Sequence, residues 1–145
     1  MRYLLLVSHG TFAPGLHSVL DMLGGAREDV LSCSLKDGMG ADEYVENLKK
    51  VVEVIGADDE VLVLGDIIGG SPLTNALKVL SDKGLLAKTS AFGGANLPMA
   101  LTALMQLQTT DLPSLKAAMV SEAREAAREM ELEVADESGD DEDDI

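Results

Sequence analysis

Cysteine, aromatic side chains and positive charge are all scarce in this sequence. The single cysteine, Cys33, rules out an internal disulfide and leaves no CxxC pair for a metal or a redox couple. It suits a reducing compartment, and a cytoplasmic location is expected. Tryptophan is absent and aromatics make up 3% of the residues, so Leu, Val, Ala and Met must fill the core. No stacking surface for nucleic-acid bases can be built from so few rings. With 11 Lys and Arg against 26 Asp and Glu the formal charge is −15, and the basic clusters that grip phosphate backbones are missing. Nucleic acid is therefore not expected as a partner. No apolar run approaches the length of about eighteen residues needed to span a bilayer. Met1 leads into strand-like sequence without the basic segment and cleavable apolar stretch of a signal peptide, so neither export nor direct membrane insertion is expected.

What the chain does have is alternation. Apolar runs take turns with longer amphipathic segments, a pattern of repeated βα units that predicts an α/β fold: a doubly wound, mostly parallel four-stranded sheet with helices on both faces. The strands are placed near Arg2–Ser8, Asp29–Ser34, Glu60–Gly65 and Ala87–Phe92. A first helix should start near Pro14 and turn Leu16, Val19, Leu20 and Leu23 inward before Gly24 and Gly25 end it. In the second, Tyr44, Val45, Leu48, Val51, Val52 and Ile55 recur at helical spacing, with Gly56 as terminator. The third runs from Ser71 to Lys83, with Ser71 as N-cap and Pro72 at the first helical position. The fourth begins around Asn96 and buries Met99, Leu101, Leu104, Met105 and Leu107; the fifth follows Asp111 and continues to about Met130. Leu132-Glu133-Val134 alternates like a short C-terminal antiparallel edge strand. At 145 residues this makes one domain, placed at 1–135. Residues 136–145, with seven acidic side chains and no basic one, read as a disordered tail.

Parallel sheets collect ligands beyond the carboxyl ends of their strands. His9 closes the first strand there, and Asp66 stands at the end of the third. A carboxylate bonded to one imidazole nitrogen fixes the tautomer and frees the other nitrogen for attack or proton transfer. The turn Gly69-Gly70-Ser71-Pro72 suits an anion: glycines allow close approach, the N–H groups of a helix start point outward, and the Ser71 hydroxyl adds a donor. Each residue alone has a structural explanation, as a satisfied strand-end histidine, a turn cap or a connector; their shared edge is what favours function. No GxxxxGK[ST] sequence is present, so no nucleoside triphosphate site, and no cofactor, is expected. His17, four residues before Asp21, reads as a solvent-facing partner of that carboxylate. Cys33 reads as core, and Met99, Met105, Met119 and Met130 as packing, which leaves no transition-metal site.

Val7-Ser8-His9-Gly10, Asp66-Ile67-Ile68-Gly69-Gly70-Ser71-Pro72 and Gly94-Ala95-Asn96-Leu97-Pro98-Met99 together resemble the mannose-class EIIA domain of the bacterial phosphoenolpyruvate-dependent sugar phosphotransferase system (PTS), over about residues 1–135. The resemblance implies a phosphotransferase. The histidine at the position of His9 accepts a phosphoryl group from HPr and hands it to an EIIB component. EIIB in turn serves a sugar entering through the membrane components EIIC and EIID. It implies that Asp66 orients His9 and that Ser71, with the backbone of Gly69 and Gly70, holds the phosphoryl group. A homodimer is implied too, with Leu132–Val134 as the strand that subunits exchange. Thr11, Phe12, Ile67, Ile68 and Asn96 border the site and are candidates for the partner surface. Family members often carry an aromatic residue shortly after the histidine and another in the Asp-x-x-Gly-Gly turn, where this chain has Thr11-Phe12 and Ile67-Ile68. With no EIIB sequence after the tail, the acceptor is expected to be a separate polypeptide.

Three other functions compete. The phosphocarrier subunit of dihydroxyacetone kinase shares the fold and the histidine. A hydrolase could use Ser71, His9 and Asp66 as a triad, although Gly69-Gly70-Ser71-Pro72-Leu73 lacks the second glycine of a GxSxG elbow. A regulatory module could carry phosphate on His9 as a signal only.

Overall fold

Residues 1–134 are described by a computed structural model. Four strands, β1 (Arg2–His9), β2 (Val30–Leu35), β3 (Glu60–Gly65) and β4 (Thr89–Phe92), form one sheet in the order β2-β1-β3-β4, with every neighbouring pair parallel. β1 and β3 lie in the middle, which is why both read as unbroken apolar runs: residues 3–8 and 61–65 are buried, whichever face they point to. Leu4, Leu6, Leu62 and Leu64 pack under α1 (Phe12–Gly24), α4 (Leu97–Gln106) and α5 (Leu112–Glu125). Tyr3, Leu5, Val7, Val61 and Val63 pack on the other face, under α2 (Ala41–Val51) and α3 (Ser71–Asp82).

The doubly wound, parallel α/β architecture is as the alternation predicts, and the departures have local causes. α1 starts at Phe12, ahead of Pro14, because the buried Ser8 hydroxyl accepts the Ala13 N–H at 2.7 Å and so caps the helix from outside it. Proline is tolerated in a first turn, where no N–H partner exists anyway. β4 is shorter than expected, since Leu86–Lys88 form a 3-10 turn before it. Leu23 and Met105, expected inside, are exposed. The inward stripe of α4 is Met99, Ala100, Ala103 and Leu104, and Met105 is turned about 100° from Leu104. Ala100 and Ala103, easily passed over as filler, are fully buried in the layer that α4 shares with α1 and α5.

α5 stops at Glu125 instead of continuing to Met130. Good helix formers fill 124–130, but residues 124–134 are exposed, and helix propensity without a buried face is marginal. Leu132–Val134 form no strand in this chain; Leu132 is 81% and Val134 95% exposed, and among the described residues β4 is paired only with β3. The domain limit at 135 and the tail over 136–145 lie outside the described residues.

At the amino edge of the sheet, away from His9, a polar network replaces apolar packing. Arg27 makes two bonds to Asp29, 3.0 and 2.7 Å, and donates to the Leu104 carbonyl at 2.8 Å. Gln108 donates both to Asp29 (3.0 Å) and to the Arg2 carbonyl (2.7 Å), fastening the end of α4 to the starts of β1 and β2. Burial of Asp29 opposes its ionisation, but the bonds from Arg27 and Gln108 outweigh it and hold the carboxyl below the usual range. Asp29→Asn should therefore cost about 1–3 kcal/mol in urea unfolding at pH 7. Because the folded value is depressed, the advantage of the wild type is complete above the unfolded pKa of about 4 and is lost as pH falls through the lower folded value. The two proteins should converge in strong acid.

Candidate active site at the carboxyl edge of the sheet

The chain leaves β1 toward α1 on one face and leaves the adjacent β3 toward α3 on the other. Loops that diverge from neighbouring strands open a crevice, and His9 and Asp66 stand at its two sides. Parallel pairing sets Leu6 against Leu64 and Val7 against Gly65, so the residues just beyond arrive side by side although 57 positions separate them.

One carboxylate oxygen does double duty. Asp66 Oδ2 accepts the backbone N–H of His9 at 2.9 Å and lies 3.0 Å from its ring Nδ1, while Oδ1 accepts the Ile67 N–H at 2.9 Å. Partial burial pushes the Asp66 carboxyl up; the backbone N–H of His9, the His9 ring and the Ile67 N–H more than compensate and hold it below the usual carboxylate range. An ionised carboxylate can only accept, which assigns the proton of the neutral ring to Nδ1 and leaves the lone pair on Nε2. The His9 side chain is 45% exposed against 19% for Asp66: the orienting group is sheltered and the reactive one faces solvent.

The start of α3 also packs against the ring. A Cβ built on Gly70 would sit 3.3 Å from His9 Cε1, so the glycine lets the start of α3 lie directly against the imidazole. Gly69 adopts φ +75°, the left-handed conformation that the turn before α3 requires. The N-cap of α3 is Gly70, not Ser71 as the sequence suggests; Ser71 is the first helical residue. Its hydroxyl accepts from Asn75 Nδ2 at 3.0 Å, which leaves its proton free to donate outward. Pro72 has no N–H, and the Ser71 and Leu73 N–H groups of this first turn have no i−4 carbonyl to bind. From behind, the buried Tyr44 of α2 donates its hydroxyl to the Pro72 carbonyl at 2.8 Å. The helical period places Tyr44 inside, but nothing in it signals that bond.

The other residues singled out from the sequence divide into two groups. Thr11, Phe12, Ile67 and Ile68 are exposed around the crevice, Ile68 at 79%. Thr11, Phe12, Leu16, Val19 and Leu97 also line an apolar groove of about 380 Å³ between the starts of α1 and α4. Asn96 is committed within the chain: Oδ1 accepts the Met99 N–H and Nδ2 donates to the Ala123 carbonyl, both at 3.0 Å, so it caps α4 and pins α5. His17 does more than face solvent. Its Nδ1 lies 2.7 Å from the Ser32 hydroxyl on β2, and its Nε2 is 3.6 Å from Asp21.

Ser8 holds the loop after His9 in place from the α1 side, and its removal would orphan the Ala13 N–H. Ser8→Ala should lose about 1–3 kcal/mol in chemical denaturation, the cost of an unsatisfied buried donor. A loss within error of zero would show that the hydroxyl does not cap α1.

Comparison with known proteins identifies the family and the fold. Residues 3–120 match the EIIA-man family, described as the PTS system fructose IIA component. The fold is similar to that of the phosphotransferase system component EIIA from Streptococcus agalactiae, at 26% identity and a TM-score of 0.74, over 89% of this chain and 97% of that one. A PTS IIA protein associated with the fucose utilization operon from Streptococcus pneumoniae is 27% identical, with a TM-score of 0.73, over 88% and 92% of the two chains. The mannose/sorbose-specific IIA subunit from Enterococcus faecalis shares the fold at a TM-score of 0.75 and 23% identity, over 92% and 98%. The chain thus belongs to the EIIA-man family and is a EIIA component of the sugar phosphotransferase system.

Proposed function

We propose that His9 Nε2 is the phosphoryl carrier of this EIIA component. The observation that carries the reading is the double engagement of Asp66 Oδ2 by the His9 backbone and ring, which presents Nε2 as the free nucleophile. Its lone pair attacks the phosphorus of a phosphohistidine on the donor protein HPr, the donor P–N bond breaks, and that bond's electron pair returns to the donor ring. His9 loses no proton in this step. The ring gains positive charge as the P–N bond forms, and the ionised Asp66 beside Nδ1 neutralises it. The free N–H groups at the start of α3 and the outward Ser71 proton meet the phosphoryl oxygens, as a helix N-terminus does for anions generally. The same steps run in reverse toward an EIIB acceptor.

An open crevice suits handover between proteins, and the exposed Phe12, Ile67 and Ile68 offer both partners an apolar rim. EIIC and EIID are then reached only through EIIB, from the cytoplasm. The outer edge of β4 and the exposed Leu132 and Val134 support a homodimer in which this segment of one copy pairs with the sheet of the other. The hydrolase reading is disfavoured: Ser71 is bonded to Asn75 and not to His9, as a nucleophile and its base would be.

Incubation with phosphoenolpyruvate, enzyme I and HPr should give one acid-labile phosphate per chain, and His9→Ala should take none. Labelling of His9→Ala at the wild-type level would overturn the proposal. Ser71→Ala should slow transfer about five- to tenfold, the worth of one hydrogen bond, and Asp66→Asn about ten- to a hundredfold, the worth of a charged one. Passage of phosphate to an EIIB protein, and not to the nucleotide of a dihydroxyacetone kinase, distinguishes the two carrier roles.

A further inference from the structure

Gly93, which follows β4 and carries no reactive group, touches the active-site loop more closely than any side chain could. A Cβ at Gly93 would lie 2.4 Å from Ile68 Cβ, 2.5 Å from its Cα and 2.7 Å from its N. Two of those three atoms are backbone, so no change of side-chain rotamer could make room. Its φ lies outside the left-handed region, unlike Gly94 at +67°, so the need for glycine here arises from contact and not from conformation. Two residues on, the Ala95 N–H donates to the Gly65 carbonyl at 3.0 Å, immediately before Asp66. The segment after β4 therefore holds the Asp66 loop at both ends, by contact at Ile68 and by a hydrogen bond at Gly65. Between these points lie Asp66 and the Ile67 N–H that binds its Oδ1.

We propose that Gly93 is a positioning residue for phosphotransfer, seating the Ile67–Ile68 backbone so that Asp66 reaches both the N–H and Nδ1 of His9. This rests on the carrier reading of His9. A methyl group at position 93 pushes the 67–68 backbone away from β4, and the shift passes through the Ile67 N–H to the carboxylate, loosening its hold on the ring. Gly93 acts through Asp66 alone, so its effect disappears once Asp66 cannot orient the ring.

Gly93→Ala, Asp66→Asn and the double variant are compared with the wild type in two measurements. The first is the rate of labelling from phospho-HPr, with circular dichroism establishing that each variant is folded at the assay temperature. Gly93→Ala should be slowed about tenfold, and adding it to Asp66→Asn should change the rate by less than twofold. The second needs no donor: ¹⁵N spectra of the neutral His9 ring should show Nδ1 protonated in the wild type and a shift toward the Nε2-protonated tautomer in Gly93→Ala. A wild-type rate with a wild-type ring spectrum overturns the assignment, and so does a tenfold loss that multiplies with that of Asp66→Asn. If Gly93→Ala does not fold, Ile68→Gly, which loosens the same seat without adding an atom to it, is read by the same ring spectrum, and a wild-type spectrum there overturns the assignment. A wild-type protein that takes no phosphate while Gly93→Ala still shifts the tautomer refutes the carrier reading and leaves Gly93 as the seat of the loop.

Discussion

The parallel pairing of β1 with β3 is the constraint on which the site depends. It sets two chain segments in a register that delivers His9 and Asp66 together, and it does so at the one place where the connections depart to opposite faces. A slip of one residue would exchange the side chains that β1 sends to its two layers, Leu4 and Leu6 against Tyr3, Leu5 and Val7, and would part His9 from Asp66, so the register that fits the core also makes the site. The hydrophobic layers thereby supply the precision that the crevice needs, and few polar contacts have to be added.

Charge is handled by placement more than by quantity. The protein is strongly acidic, yet its candidate anion site contains no cation in the described contacts. Backbone N–H groups at the start of α3 provide fixed partial charge instead, and they need no long side chain to be ordered. Asp66, the one carboxylate bonded to His9 among the described residues, is held by three donors. Its negative charge is spent on the imidazole and on backbone dipoles, which limits its repulsion of an incoming anion.

Much of this is legible in the sequence. The two central strands, buried on both faces, are unbroken apolar runs, and the ionisable His9 and Asp66 stand at or just beyond their ends. Pro72 and Asn96 marked helix starts through mechanisms that act within one turn. What the sequence did not disclose depends on contacts between distant segments. Ser8 capping α1, Tyr44 bonding to Pro72, and Gly93 lying under Ile68 join residues that no local period relates. Asn96 looked like a surface residue because its two tertiary bonds cannot be read from its neighbours. α5 looked longer because composition reports propensity, and the missing apolar face is a property of the whole fold.

Ile68 joins two qualities that rarely occur together, since its side chain is largely exposed while its main chain is wedged against Gly93, just after β4. A docking protein that meets such a group gains apolar contact without having to freeze a loop, so little conformational entropy is lost on association. Contact can then be quick to form without being lasting. A relay that must bind one protein, release it and bind the next is well served by a small, rigid foothold of this kind.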